Sequence, residues 1–220
     1  MAVIQVVLNF VLMTLTCKQL LQNYTQAWHE ATVHPFLEQC KLGTIHPQQF
    51  NTWLVQDYLF VIDFTRIVGR LLAMAPPHHF DVILTGLAAL KDELNWFKEK
   101  AAQRQLNLNV AKQPTCIEYC EYMHSLAAMP YSVQATAFWA IELAYNQGWQ
   151  LPGIMPKPYT EFADRWGNAG FTEYVKLLER QADEVLQTAS ESIHHQAEEA
   201  FLRVAQFEKD FWQMAFHAAQ

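Results

Sequence analysis

Apolar residues in this chain recur at spacings of three and four in segment after segment, and nowhere do they alternate strictly with polar ones. That pattern fits helices that each bury one face, and it leaves no convincing strand. Prolines and polar runs divide the pattern into elements. A first helix is expected from about Lys18 to Val33. A second starts at Pro47, a favoured first-turn residue, and ends near Met74 before Pro76-Pro77. A third runs from about His78 to Gln103. The polar stretch Arg104 to Gln113 leads to a fourth, from about Thr115 to Ala128, and Pro130 separates that from a fifth, Tyr131 to Trp149. Leu151 to Pro158 holds three prolines and reads as a loop. Helices over Thr160 to Trp166, Thr172 to Thr188 and Ser190 to His217 complete the set. The expected fold class is all-α, a helical bundle around one shared core.

No linker or shift of composition divides the 220 residues, so one domain is expected. A hydrophobic fraction of 51%, with 13% aromatic, is ample for a sizeable core. The net charge of −7 gives a nucleic-acid partner no general electrostatic support. Scattered Lys and Arg residues offer no basic run for a membrane surface. Residues 1–17 are apolar and uncharged, but they lack the basic start of a signal peptide and are short for a membrane span. They read as an N-terminal extension of uncertain origin, with Met13 as a plausible internal start, before a helical domain over 18–220. A cytoplasmic location is the corresponding expectation. Cysteines at 17, 40, 116 and 120 form neither a zinc-ligand pattern nor a disulfide framework, and read as small buried thiols.

The informative feature is the placement of three acids. Asp57 has Trp53 and Leu54 one helical turn before it and Phe60 and Val61 one turn after. Glu142 is flanked in the same way by Phe138, Trp139, Tyr145 and Asn146, and Glu208 by Val204, Ala205, Phe211 and Trp212. Residues three and four apart share a helix face, so each acid is centred on a stripe that should point inward. Burying an unpaired carboxylate is costly, and three of them from separate helices point to a common polar pocket. Desolvation and like charge raise carboxyl pKa values, which lets one acid stay protonated while another ionises, as acid–base hydrolysis requires. The plainer alternative is that each acid is hydrogen-bonded in the core or lies at the edge of its stripe. Asp63 has Arg66 three residues on and reads as merely paired. Phe60, Tyr119, Trp139, Tyr145 and Trp212 are either stacking surfaces for a flat ligand or ordinary core.

Two rival constellations stand beside this one. Glu121–His124 and Glu191–His194 both have the Glu-x-x-His spacing of di-iron bundles, although the second pair lies in a polar run. His34, before Pro35-Phe36, is either a haem ligand or a capping residue. No Gly-rich phosphate loop or Gly-x-Ser-x-Gly elbow occurs.

Several segments, in order, resemble the TenA (thiaminase II-like) family. They are His34-Pro-Phe-Leu, Gly43-Thr44, Gln56-Asp57-Tyr58-Leu59-Phe60, Pro114-Thr115 with Tyr119 and Met123-His124, Trp139-Ala-Ile-Glu142 with Tyr145, Trp166-Gly-Asn168, and Glu208-Lys-Asp-Phe211-Trp212. The resemblance spans about Leu20 to Phe216 and implies the haem-oxygenase-like helical fold, usually without haem. The nucleophilic cysteine of the family's main branch would fall at Ala137, so the chain looks like the branch that uses a Glu in place of the thiolate. That branch implies hydrolysis of a C–N bond on a thiamin-derived aminopyrimidine or its N-formyl form. Carried over by position, the resemblance implies that Glu142, Glu208 and Asp57 are catalytic. It implies that Phe60 stacks on the substrate ring and that Tyr119 contacts it, while Trp139, Tyr145 and Trp212 stand as further candidate substrate-binding residues from their aromatic faces. It also implies a small-molecule pyrimidine as partner, a homo-oligomer, and no metal or other cofactor. The alternatives carried forward are a di-iron oxidase and a non-catalytic pyrimidine-binding protein.

Overall fold

The structure, a computed structural model, describes residues 14–219; positions 1–13, most of the segment read above as an extension, and 220 lie outside the described residues. Ten α-helices and no strand occur among the described residues. They are α1 (Cys17–Asn23), α2 (Thr25–Thr32), α3 (Pro35–Leu42), α4 (Pro47–Met74), α5 (Phe80–Gln103), α6 (Pro114–Ser125), α7 (Tyr131–Gln150), α8 (Thr160–Trp166), α9 (Ala169–Gln187) and α10 (Glu191–Phe216). Short 3₁₀ turns precede α5 and follow α6 and α10. No helix among the described residues is long and apolar enough to cross a membrane.

Two boundaries differ from the periodicity. The first expected helix is broken at Tyr24, whose backbone leaves the helical region at φ −119°, ψ 34°. The Thr25 hydroxyl donates to the carbonyls of Leu21 and Gln22 and so satisfies acceptors near the break. Helix α3 lies in a stretch that periodicity left unassigned, yet its end signals are written locally. His34 is its N-cap, with Nδ1 accepting from Phe36 N at 3.1 Å, Pro35 takes the first turn, and Gly43 ends it. The same bond assigns His34 a capping role. Its Nε2 faces Gln213 at 3.2 Å, and burial holds its pKa below the usual histidine value.

Gly43 has φ +68°, a conformation that costs an L-residue roughly 1–2 kcal/mol. Gly43→Ala is therefore expected to lower the unfolding free energy by about 1 kcal/mol. An unshifted denaturant midpoint would show that the turn relaxes without strain.

Helix α7 is the centre of the bundle. Its apolar residues run right round the circumference, and it is buried on every side. Helices α9 and α10 pack against it, α2 lies on α7 and α10, and α4 packs on α5, α10 and α7. The space enclosed by α4, α5, α7 and α9, with α8 across one end, is where Asp57 and Glu142 meet.

Candidate active site

A cavity of about 260 Å³ lies in that space. Asp57, Phe60, Val61 and Phe64 line it from α4, Gly86, Leu90 and Glu93 from α5, and Ile141, Glu142 and Tyr145 from α7. Arg165 and Trp166 close it from α8, and Phe171 and Tyr174 from α9. Ligand pockets commonly measure about 300–1,000 Å³, so this one suits a single ring with short substituents.

The acids are held by neighbours that leave part of their hydrogen-bonding capacity free. Tyr145 donates its hydroxyl to Asp57 Oδ1, while Asp57 Oδ2 is buried without a partner. Tyr119 donates to Glu208 Oε1 at 2.6 Å. Asp57 and Glu208 are each 1% exposed and Glu142 8%. Burial pushes the Asp57 carboxyl well above the usual range, with Glu93 and Glu208 adding repulsion against the opposing Tyr145 bond. Burial does the same to Glu142, again reinforced by Glu93 and Glu208. It raises Glu208 to about 8 against the opposing Tyr119 bond. Glu93 is raised to about 7 by burial, moderated by Arg165 and by Trp166, whose Nε1 donates to its Oε2 at 3.3 Å. Arg165 Nε stands 3.7 Å from the same oxygen, and its guanidinium lies 4.7 Å from the centre of the Trp96 ring. Among the described residues lining the cavity, Arg165 carries the only positive side chain. The arrangement is thus a slot with aromatic walls whose carboxyls are held toward the neutral form by burial and by one another's charge.

The sequence profile of the TENA/THI-4/PQQC family matches residues 21–218. The chain belongs to that family. A soybean relative described as a probable bifunctional TENA-E protein is 35% identical over 207 residues, covering 89% of this chain and 90% of its own. A Bacillus subtilis protein described as an aminopyrimidine aminohydrolase is 23% identical over 203 residues, 86% of this chain and 84% of its own. The solved structure of a TenA homologue from Pyrococcus furiosus superposes with a TM-score of 0.87 at 28% identity, covering 90% of this chain and 98% of that one. TenA-family structures of this kind are haem-oxygenase-like helical bundles, and this chain shares that fold.

Within this TenA-family chain, the eight candidate residues from the sequence take four different places. Asp57, Glu142, Phe60 and Tyr145 line the cavity. Glu208 and Tyr119 form a bonded pair just outside the lining; the Tyr119 ring lies 4.8 Å from that of Phe60, and the Glu208 charge acts on Asp57, Glu142 and Tyr145. Trp212 backs Tyr145 at 5.7 Å and donates Nε1 to Ala31 O. Trp139 is fully buried against Phe201, 5.9 Å away, and is not part of the lining. Its position lies about a quarter of a turn round α7 from the face carrying Glu142 and Tyr145.

Glu93 escaped the sequence reading. It sits between Ala89-Leu90 and Trp96-Phe97, the same acid-in-an-apolar-stripe signature that marked the other three. Asp63 is paired as expected, with Arg66 at 2.8 Å and also with Lys112 and His124. Those contacts take His124 out of any di-iron set, since Asp63 and Arg70 occupy its two ring nitrogens. His194 contacts the Leu186 carbonyl, and Glu121 and Glu191 are exposed. The group among the described residues whose ligand atoms converge, His78, His79 and Glu184, belongs to neither pair. All four cysteines are free and buried, and none lines the cavity.

Proposed function

We propose that this chain hydrolyses a C–N bond on a small aminopyrimidine, as an amine or as its N-formyl form, in thiamin salvage. The observation that carries the reading is the buried, unpartnered Asp57 Oδ2 in a slot walled by Phe60 and Tyr145. A neutral carboxyl offers one donor and one acceptor side by side. An aminopyrimidine presents the complement, a ring nitrogen beside an amino group, and its flat faces suit aromatic walls. The raised pKa of Asp57 keeps that carboxyl in the donor–acceptor form.

Glu142 faces the substituent that leaves. The protonatable ring and Arg165 offset the charge when Glu142 ionises, and the ionised carboxylate takes a proton from the attacking water. Glu208, neutral below about pH 8, holds the proton needed by the departing nitrogen, and Tyr119 fixes its orientation. The four carboxyls cannot all be ionised so close together, and that constraint supplies both an acid and a base near neutral pH.

Mass spectrometry after incubation with the aminomethyl-pyrimidine and its N-formyl derivative tests the reading. Loss of ammonia or formate from either compound is the expected result. Tight binding without turnover would make the chain a pyrimidine-binding protein instead. Asp57→Ala is expected to weaken binding of the aminopyrimidine by about 10–100-fold, from two lost hydrogen bonds. Calorimetric titration that showed unchanged affinity would remove Asp57 from recognition.

A further inference from the structure

One polar group in the cavity has no role in the scheme above. Tyr174, on α9, reaches across to α5 and lays its hydroxyl directly over Gly86. A Cβ at position 86 would stand 2.2 Å from Tyr174 Oη and 3.1 Å from its Cζ, so no residue but glycine lets the phenol lie there. Glycine inside a helix costs stability relative to alanine, and α5 carries one at this contact. The hydroxyl that gains the space is buried and has no hydrogen-bond partner in the protein. A buried donor left unpaired is unfavourable, and here it lines the cavity, where a ligand can supply the missing acceptor. Burial and the neighbouring Glu142 and Glu93 charges raise the phenol's pKa well above the ordinary value, so it stays a neutral donor.

The chemistry of the two candidate substrates decides which acceptor this is. An aminomethyl group is a cation near neutral pH and offers no acceptor. A formamide carries a carbonyl oxygen on the carbon that water attacks, and that oxygen gains negative charge as the reaction proceeds. We propose that the Tyr174 hydroxyl, given room by Gly86, is the donor that holds the formyl oxygen during hydrolysis of the N-formyl substrate. Water's oxygen bonds to the formyl carbon as its proton passes to Glu142, and the carbonyl electron pair moves onto the oxygen held by Tyr174. The pair then returns, the C–N bond breaks, and the nitrogen takes a proton from Glu208. Formic acid and the aminomethyl-pyrimidine leave, and a proton passing from Glu142 to Glu208 restores the starting state. This assignment rests on the aminopyrimidine reading above.

The test is the steady-state kinetics of Tyr174→Phe on the formamide and the amine, beside the unaltered protein. One oxyanion donor typically contributes about 10²–10³-fold to kcat. The formamide-to-amine ratio of kcat/KM is expected to fall by about that factor, with the loss in kcat rather than KM. Gly86→Ala, which displaces the phenol while keeping it in the chain, is expected to shift the ratio in the same direction. Equal losses on both substrates, or an unchanged ratio in Tyr174→Phe with its fold intact, would overturn the assignment. Wild-type turnover of the amine without any of the formamide would overturn it while leaving the aminopyrimidine reading standing. Failure of the wild type on both compounds would remove that reading and the assignment with it.

Discussion

Glu142→Gln is expected to lower hydrolytic turnover by about 10²–10⁴-fold, the usual contribution of one general acid–base group. The substitution keeps the shape of the side chain and removes only its capacity to gain and lose a proton. Glu142 is buried on the central helix, and burial raises its pKa, so the neutral amide replaces a group that is itself neutral in the free protein. Affinity for the aminopyrimidine should therefore survive, and thermal stability should hold or rise. A loss confined to kcat, with binding retained in calorimetry, is the expected signature. Wild-type rates in the variant would take Glu142 out of the chemistry.

The unfolding free energy should contain a component that falls as pH rises from about 5 to about 8, to which Asp57, Glu142, Glu93 and Glu208 all contribute, and Glu208→Gln should remove the Glu208 share. A glutamate titrates near 4.5 in the unfolded chain, whereas folding raises Glu208 to about 8 and Glu93 to about 7. Between those values the native state holds protons that the unfolded chain has released. Stability then decreases with pH throughout the interval, because the native state binds more protons than the unfolded one. At 1.36 kcal/mol per pKa unit, Glu208 alone accounts for on the order of 3–5 kcal/mol. Glutamine keeps an oxygen to accept the Tyr119 hydroxyl and carries no titration. His34 and His79 act with the opposite sign, since burial holds their folded pKa values below 6.5 and their contribution is lost as pH falls. The comparison of variant with wild type cancels them. Above pH 7 the variant should be the more stable by a few kcal/mol, or several degrees in Tm. Parallel curves of stability against pH for the two proteins would show that Glu208 is not held neutral by its surroundings.

These two expectations pull stability and activity apart at neighbouring positions. Three carboxyls lining a largely apolar slot, with Glu208 buried just behind it, cost the fold free energy that amides or apolar residues would return. Asp63 shows the opposite arrangement. Its charged partners hold it down at about 2, and it lies outside the cavity.

Much of the molecule is legible in the chain itself. Spacings of three and four mark the long helices, and prolines 47, 76, 77, 114 and 130 mark where they start or stop. Asp57, Glu142 and Glu208 declare themselves because each interrupts an apolar stripe, and helix geometry alone then sends it inward. Glu93 was equally legible, and so was α3, whose His34, Pro35 and Gly43 are written at its ends. Such features depend on neighbours within one or two turns, so a local pattern is enough to find them.

Which inward faces meet was decided only when the helices packed. Helix α7 is apolar all round, so spacing could not say that Glu142 and Tyr145 look into the cavity while Trp139 looks toward Phe201. Nor could it reveal that Gly86 lies under the Tyr174 hydroxyl, 88 positions further on, or that Arg165 comes beside Glu93. Periodicity fixes the side of a helix that is buried. The partner on the other side of that burial is a property of the whole assembly of helices.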